Sequence, residues 1–181
     1  MIRIRALPVL AVLALLLAGC GEKQEMAAKP TPLEPTAASV SYFCAMGVLE
    51  HGGPKGQIFL EGKSEPIWFG SVRDTFAFTM LPEEPKKIVA IYVNDLAKAR
   101  NWDRPEAGDW VEARSAWFVL GSDYTGGMGD KEAVPFSQEK AARDFAARHG
   151  GKVARFAEVP QSYILESGAP SEAGNPGAAG G

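Results

Sequence analysis

The sequence predicts an α+β fold, a single domain of two ββαβ-like halves. Three observations carry this reading. Strand-like and helix-like runs alternate twice between residues 40 and 166, each round ending in a helix followed by a strand. A Phe stands just before a serine suited to cap each helix, Phe69 before Ser71 and Phe136 before Ser137. Segments of Pro-rich and Gly/Ala-rich composition bracket the 40–166 region, whose length suits one hydrophobic core.

The elements follow in order. Residues 57–61 and 66–69 alternate as strands around the turn Gly62-Lys63-Ser64. Ser71 with Asp74 three positions on forms a capping-box pattern, opening a short helix that carries Phe76, Phe78 and Leu81. Residues 87–93 are β-branched and apolar, a buried strand. A loop rich in Trp and Asp follows over 101–109, and residues 110–120 then read as extended, with a strong strand at 116–120. Ser137 opens the clearest helix, with Glu139 in its first turn, an apolar face of Ala141, Ala142, Phe145 and Ala146, and Gly150-Gly151 as its stop. Residues 152–156 return as a strand.

The ends have a different character. Arg3 and Arg5 precede an apolar run from Ala6 to Ala18, and Leu17-Ala18-Gly19-Cys20 reads as a lipoprotein signal cleaved before a lipidated Cys20. That run falls short of the roughly 20 apolar residues a spanning helix needs. Residues 1–19 are thus expected to be a signal peptide and 20–39 a lipidated cysteine with a Pro-rich spacer. Residues 167–181 are expected to be a disordered tail. Gly21 after the cysteine favours the outer membrane, with the domain facing the periplasm. Loss of Arg3 and Arg5 lowers Lys plus Arg from 19 to 17 against 22 acidic residues, a net charge of −5. An acidic chain without a basic run argues against a nucleic-acid partner.

Cys44 is the one thiol left once Cys20 carries lipid, so the even count of two cysteines does not imply a disulfide. It stands two residues before Met46 in Phe43-Cys44-Ala45-Met46, and a thiolate and thioether at that spacing suit a soft ion, Cu(I) above all. In a strand both sulfurs share a face; in a turn both can reach one ion. The other use of the pair is as small core fillers, but an unpaired thiol in an oxidising compartment is exposed to oxidation. Met128 lies among glycines in Gly126-Gly127-Met128-Gly129, with little to pack on, and is a third sulfur candidate. His51, five residues past Met46 in the turn-forming run Glu50-His51-Gly52-Gly53-Pro54, is a possible fourth donor. His149 complements a helix dipole, Met80 belongs to the core, and no zinc or calcium spacing is present.

These strings together, Tyr42-Phe43-Cys44-Ala45-Met46, residues 50–58, Gly121-Ser122-Asp123 with Gly127-Met128-Gly129, and Pro135-Phe136 before an Ala-rich helix ending His149-Gly150-Gly151, resemble the NosL family. These are lipoprotein copper chaperones of nitrous oxide reductase maturation. The likeness runs over roughly residues 42–157 and implies two ββαβ units similar in topology to organomercurial lyase. It implies one Cu(I) held by Cys44, Met46 and Met128, with His51 less firmly matched. It also implies delivery to an assembly machinery comprising an ABC-type complex with a periplasmic subunit. The expected function is therefore a membrane-tethered Cu(I) carrier, not an enzyme. The alternatives are a periplasmic lyase-like thiol enzyme with Cys44 as nucleophile and an adaptor in which Cys44 is merely buried.

Overall fold

The computed structural model describes residues 29–127 and 129–166. The expectations for the leader, Cys20, Met128 and the 167–181 tail lie outside the described residues. Ten regular elements follow one another: β1 (Gly56–Leu60), β2 (Ile67–Phe69), α1 (Val72–Met80), β3 (Ile88–Asn94), β4 (Trp110–Glu112), β5 (Trp117–Leu120), β6 (Val134–Phe136), α2 (Glu139–His149), β7 (Lys152–Arg155) and α3 (Gln161–Leu165). They form two antiparallel sheets, of order β2-β1-β3-β4 and β6-β5-β7. In each sheet the first strand of a half is central, its hairpin partner lies on one side, and the strand after the helix lies on the other. The two ββαβ halves expected from the sequence are both present with the same connectivity.

One assignment within the second half is corrected. The extended run from residue 110 divides at a single 3-10 turn, Ala113–Ser115, and its first piece pairs with β3 as the fourth strand of the first sheet. The second half takes its hairpin partner from β6, three residues long and centred on Pro135. A proline cannot donate to the ladder, which leaves so short a strand without a clear sequence signal.

Helix starts and stops follow local chemistry. Ser71 Oγ accepts from Asp74 N at 3.0 Å, as the capping pattern predicts. The helix ends at Met80 rather than including Leu81, because Pro82 pushes the residue before it into extended conformation. Ser137 does not cap α2: Gln138 occupies that position with no side-chain bond. The Ser137 N–H instead donates to Asp95 Oδ1 at 2.8 Å, so a buried carboxylate between the halves takes the group. Gly150 and Gly151, both at positive φ, stop the helix as expected.

Strand alternation sorts side chains into layers. On one face of the first sheet Ile58, Phe69, Ile91 and Val93 join Val72, Phe76 and Phe78 in the larger core cluster. Phe118 and Ala116 extend that core into the second sheet, where Phe76 meets Phe118 at 4.9 Å and stacks on Phe156 at 4.7 Å. The opposite face of β5 and β6 carries Val119, Val134 and Phe136 against Ala142 and Phe145 of α2. The second sheet is therefore packed on both faces.

The Pro-rich segment is held to the domain from Lys29 onward rather than standing free in solvent. The buried Gln57 amide pairs with Leu33 in both directions, accepting from its N–H and donating to its carbonyl, each at 2.9 Å. Tyr92 OH donates to Pro30 O at 2.6 Å, and Glu34 Oε1 accepts from Gly108 N and Trp110 Nε1, each at 2.9 Å. Polar side chains on the outer face of the first sheet thus satisfy backbone that composition alone assigns to water.

Helix α1 lies so close to β1 that a Cβ at Gly56 would fall 1.9 Å from Thr75 Oγ1. Gly56→Ala is expected to lower unfolding free energy by about 1–3 kcal/mol, the range for an overpacked core. A chemical denaturation midpoint checks this, and Thr75→Ala in the same chain should return part of the loss.

Candidate metal site

The site is built from four backbone segments: the 39–48 turn, the 51–56 run into β1, the start of α1, and the Gly-rich loop before β6. Within the first, Ser41 N donates to Met46 O at 2.8 Å and Ala45 N to Ser41 O at 2.9 Å, closing a tight turn. Ala45 sits at φ 57, in the left-handed region that side chains seldom adopt. Cys44 and Met46 therefore flank a bend rather than share a strand face. The turn is fastened to β2, with Tyr42 N bonded to Trp68 O at 2.9 Å and Ser41 Oγ accepting from Gly70 N at 3.1 Å. Tyr42 and Phe43 pack on Phe69 and Phe78, rooting the turn in the core.

Cys44 is a half-buried free thiol, and its Sγ lies 3.4 Å from His51 Nε2. That separation fits an S–H···N contact. It equally fits two donors sharing one d10 ion, whose bonds to thiolate and imidazole run about 2.3 and 2.0 Å for zinc. His51 is 8% exposed while Met46 is 49% exposed. Around them Val40, Tyr42, Phe43 and Leu49 also stand exposed, so the sulfurs sit in an apolar collar at the surface. Of the residues singled out in the sequence, Cys44 and His51 are brought into contact, and Met46 lies on the same turn. His149 is elsewhere, stacked on Phe145 and paired with Asp123 at 3.0 Å. Among the described residues no group of three or more His, Cys, Asp and Glu side chains is placed to hold a metal ion. The donors here are instead one thiol, one imidazole and a neighbouring thioether, a soft set.

Missing side chains hold His51 in place. A Cβ at Gly70 would fall 2.6 Å from His51 Cδ2, so the ring occupies the space in front of α1. On its other side a Cβ at Gly127 would lie 2.4 Å from both the N and the O of Gly52. The Gly-rich loop therefore rests directly on the backbone after His51, which positions residue 127 at the site. Both glycines serve close approach of chain to chain.

A group not singled out in the sequence fixes that loop. Glu132 is fully buried at the start of α1, its carboxylate accepting from Arg73 N at 2.7 Å, Ala133 N at 2.9 Å and Val72 N at 3.3 Å. A carboxylate there meets free amides and the positive end of the helix. Its two helix partners, Arg73 and Val72, lie 59 and 60 residues away in sequence, so no local pattern reveals it. Burial pushes its carboxyl up to about 7, against the opposing pull of those three amides and with Asp74 adding to the rise. Burial also raises Asp74 and lowers Lys55, the latter to about 8.

The sign of the Glu132 effect is definite. Below the unfolded carboxyl value of about 4.5 both states hold the proton and the stability is fully present. As pH rises through about 7 the folded state must ionise a buried acid and that stability is lost. The denaturation midpoint should fall between about pH 5 and 7.5, and Glu132→Gln should flatten this part of the profile.

Comparison with known proteins places the chain in a lineage. The NosL family model matches residues 32–164. The copper-binding lipoprotein NosL of Achromobacter cycloclastes is 43% identical over 164 residues, 90% of this chain and 83% of that protein. The copper-binding lipoprotein NosL of Stutzerimonas stutzeri is 33% identical over 173 residues, covering 95% and 89%. Among solved structures, the crystal structure of the copper chaperone NosL from Shewanella denitrificans superposes with a TM-score of 0.68 at 33% identity, over 73% of this chain and 97% of that one. By sequence and by fold, the chain belongs to the NosL family.

Proposed function

We propose that the chain is a copper chaperone that carries Cu(I) as cargo, with Cys44 as the anchoring ligand. The observation that carries this is the 3.4 Å contact of Cys44 Sγ with His51 Nε2 in a turn that also bears Met46. Relatives named copper-binding lipoprotein and copper chaperone point the same way. Cys44 binds as thiolate, releasing its proton as the ion arrives. Met46 and Met128 add neutral thioethers, which select the soft monovalent ion over harder competitors. His51, its ring against Gly70 and the backbone after it against Gly127, supplies a nitrogen whose ring need not turn to meet the ion. Few ligands at an exposed apolar face suit a carrier, since a partner's sulfur can approach and take over the ion by exchange.

In this reading Cys20 carries the lipid and the domain faces the periplasm from the outer membrane. The cargo passes to the assembly machinery of nitrous oxide reductase, an ABC-type complex with a periplasmic subunit. The lipoprotein names of the relatives support the anchor. Among the described residues no helix is long and apolar enough to cross a membrane.

The same Cys44–His51 contact is what a thiol nucleophile with a general base would need. That second reading, a lyase-like enzyme, predicts rapid alkylation of Cys44 and turnover of an electrophilic or organometallic substrate. The carrier reading predicts that Cu(I) protects the thiol and that no product forms.

An anaerobic titration against a chromogenic Cu(I) chelator decides the matter, using residues 20–181 with Cys20→Ser. One tight equivalent is expected, abolished in Cys44→Ser and weakened about tenfold, or about 1.4 kcal/mol, in Met128→Leu. Equal affinity in all three chains would refute the site.

A further inference from the structure

Behind His51 lies a cavity of about 270 Å³ that the copper reading does not use. Its charged lining is unequally satisfied. Lys55 is 6% exposed, donates its ammonium to Gly53 O, and forms no salt bridge among the described residues. Burial is costly for an ammonium ion and draws the Lys55 value down to about 8, against the opposing pull of Glu132 and Asp103, neither of which forms a direct ion pair with it. Arg104 at the rim is exposed and forms no ion pair among the described residues.

The carboxylates around the same cavity are already engaged. Glu34 accepts from Gly108 N and Trp110 Nε1, Glu106 receives a two-pronged bond from Arg100, and Asp103 accepts from Tyr124 OH at 3.4 Å. The unspent donors therefore belong to the two cations, while the nearby acids set a limit on how much negative charge can enter. Between them the walls are apolar, formed by Pro35, Leu49, Pro105 and the Trp110 ring.

We infer that this cavity is a binding site for a small organic monocarboxylate, its charged end on Lys55 and Arg104 and its short apolar body against Trp110 and the prolines. A single negative charge in the cavity supplies the direct ion pair that Glu132 and Asp103, acting on the ammonium from farther off, do not. Charge-assisted bonds to Lys and Arg are the stronger kind, and Arg can take a carboxylate with two parallel bonds. A doubly charged anion would meet Glu34, Asp103 and Glu106. The volume admits only a small molecule, being below the range of about 300–1,000 Å³ common for drug-sized ligands. His51 lines the cavity as well as touching Cys44, so the two sites share one side chain.

The test is isothermal titration of the full chain, copper-free and in non-ionic detergent, with acetate, propionate and butyrate at constant ionic strength. Succinate and inorganic phosphate are the comparison anions. Saturable 1:1 binding is expected, tightening from acetate to butyrate and weakened about tenfold in Lys55→Met, the effect of one lost charge-assisted bond. Arg104→Gln should weaken it to a smaller degree, and Lys63→Met, at an exposed lysine, should leave it unchanged. Arg104→Gln is the deciding variant if Lys55→Met proves unfolded by circular dichroism. No saturable heat from the wild-type chain would overturn the inference. So would unchanged affinity in a folded Lys55→Met or, where that chain is unfolded, in Arg104→Gln, or tighter binding of phosphate and succinate than of butyrate. Because no copper is present, these outcomes leave the carrier reading to its own test.

Discussion

The close approach of four backbone segments around His51 is the constraint on which the site depends. The imidazole fits because position 70 has no side chain, and the loop behind it fits because position 127 has none. A methyl group at either place would need space already occupied, by the ring in one case and by the Gly52 backbone in the other. This packing sets the 3.4 Å separation of Cys44 Sγ and His51 Nε2. In the proposed carrier, donors held by such packing would need less ordering as the ion binds.

Electrostatics holds the same region from below. Glu132 fastens the Gly-rich loop to the first amides of α1, and Ser71 caps that helix from its own chain. The first turn of α1 therefore joins the halves as well as walling the site. Above it, the Cys44 turn is pinned to β2 by two backbone-directed bonds and to the core by Tyr42 and Phe43. The sulfurs thus stand on a firm base while Met46 and its apolar neighbours face outward. In the proposed carrier that combination would serve transfer, with rigid donors holding the ion at a face another protein could press against.

Local patterns made much of this legible and long-range ones did not. The Ser71 cap, the Gly150-Gly151 stop and the paired halves follow from periodicity and turn chemistry within a few residues. The turn-forming run around His51 brings its ring to Cys44. What escaped the sequence depends on partners far along the chain. Glu132 meets amides some 60 residues earlier, and Gly70 and Gly127 look like ordinary loop glycines until the ring and backbone against them are seen. Lys55 follows a Gly-Gly-Pro turn with no local sign of burial, and the fold buries it. Ser137 had the residue type of a cap but was claimed by Asp95, and Pro135 hid a strand. Nothing in the composition of the Pro-rich segment from Lys29 announces Gln57, Tyr92 and Trp110, which bind it to the first sheet.

The central claim, that Cys44 and His51 hold one soft ion between them, is tested most directly by copper K-edge X-ray absorption of the Cu(I)-loaded chain. The account predicts sulfur scatterers together with one imidazole, whose outer-shell signal disappears in His51→Ala, and loss of the shortest sulfur distance in Cys44→Ser. A spectrum of nitrogen and oxygen scatterers alone, or one unchanged by Cys44→Ser, would contradict it.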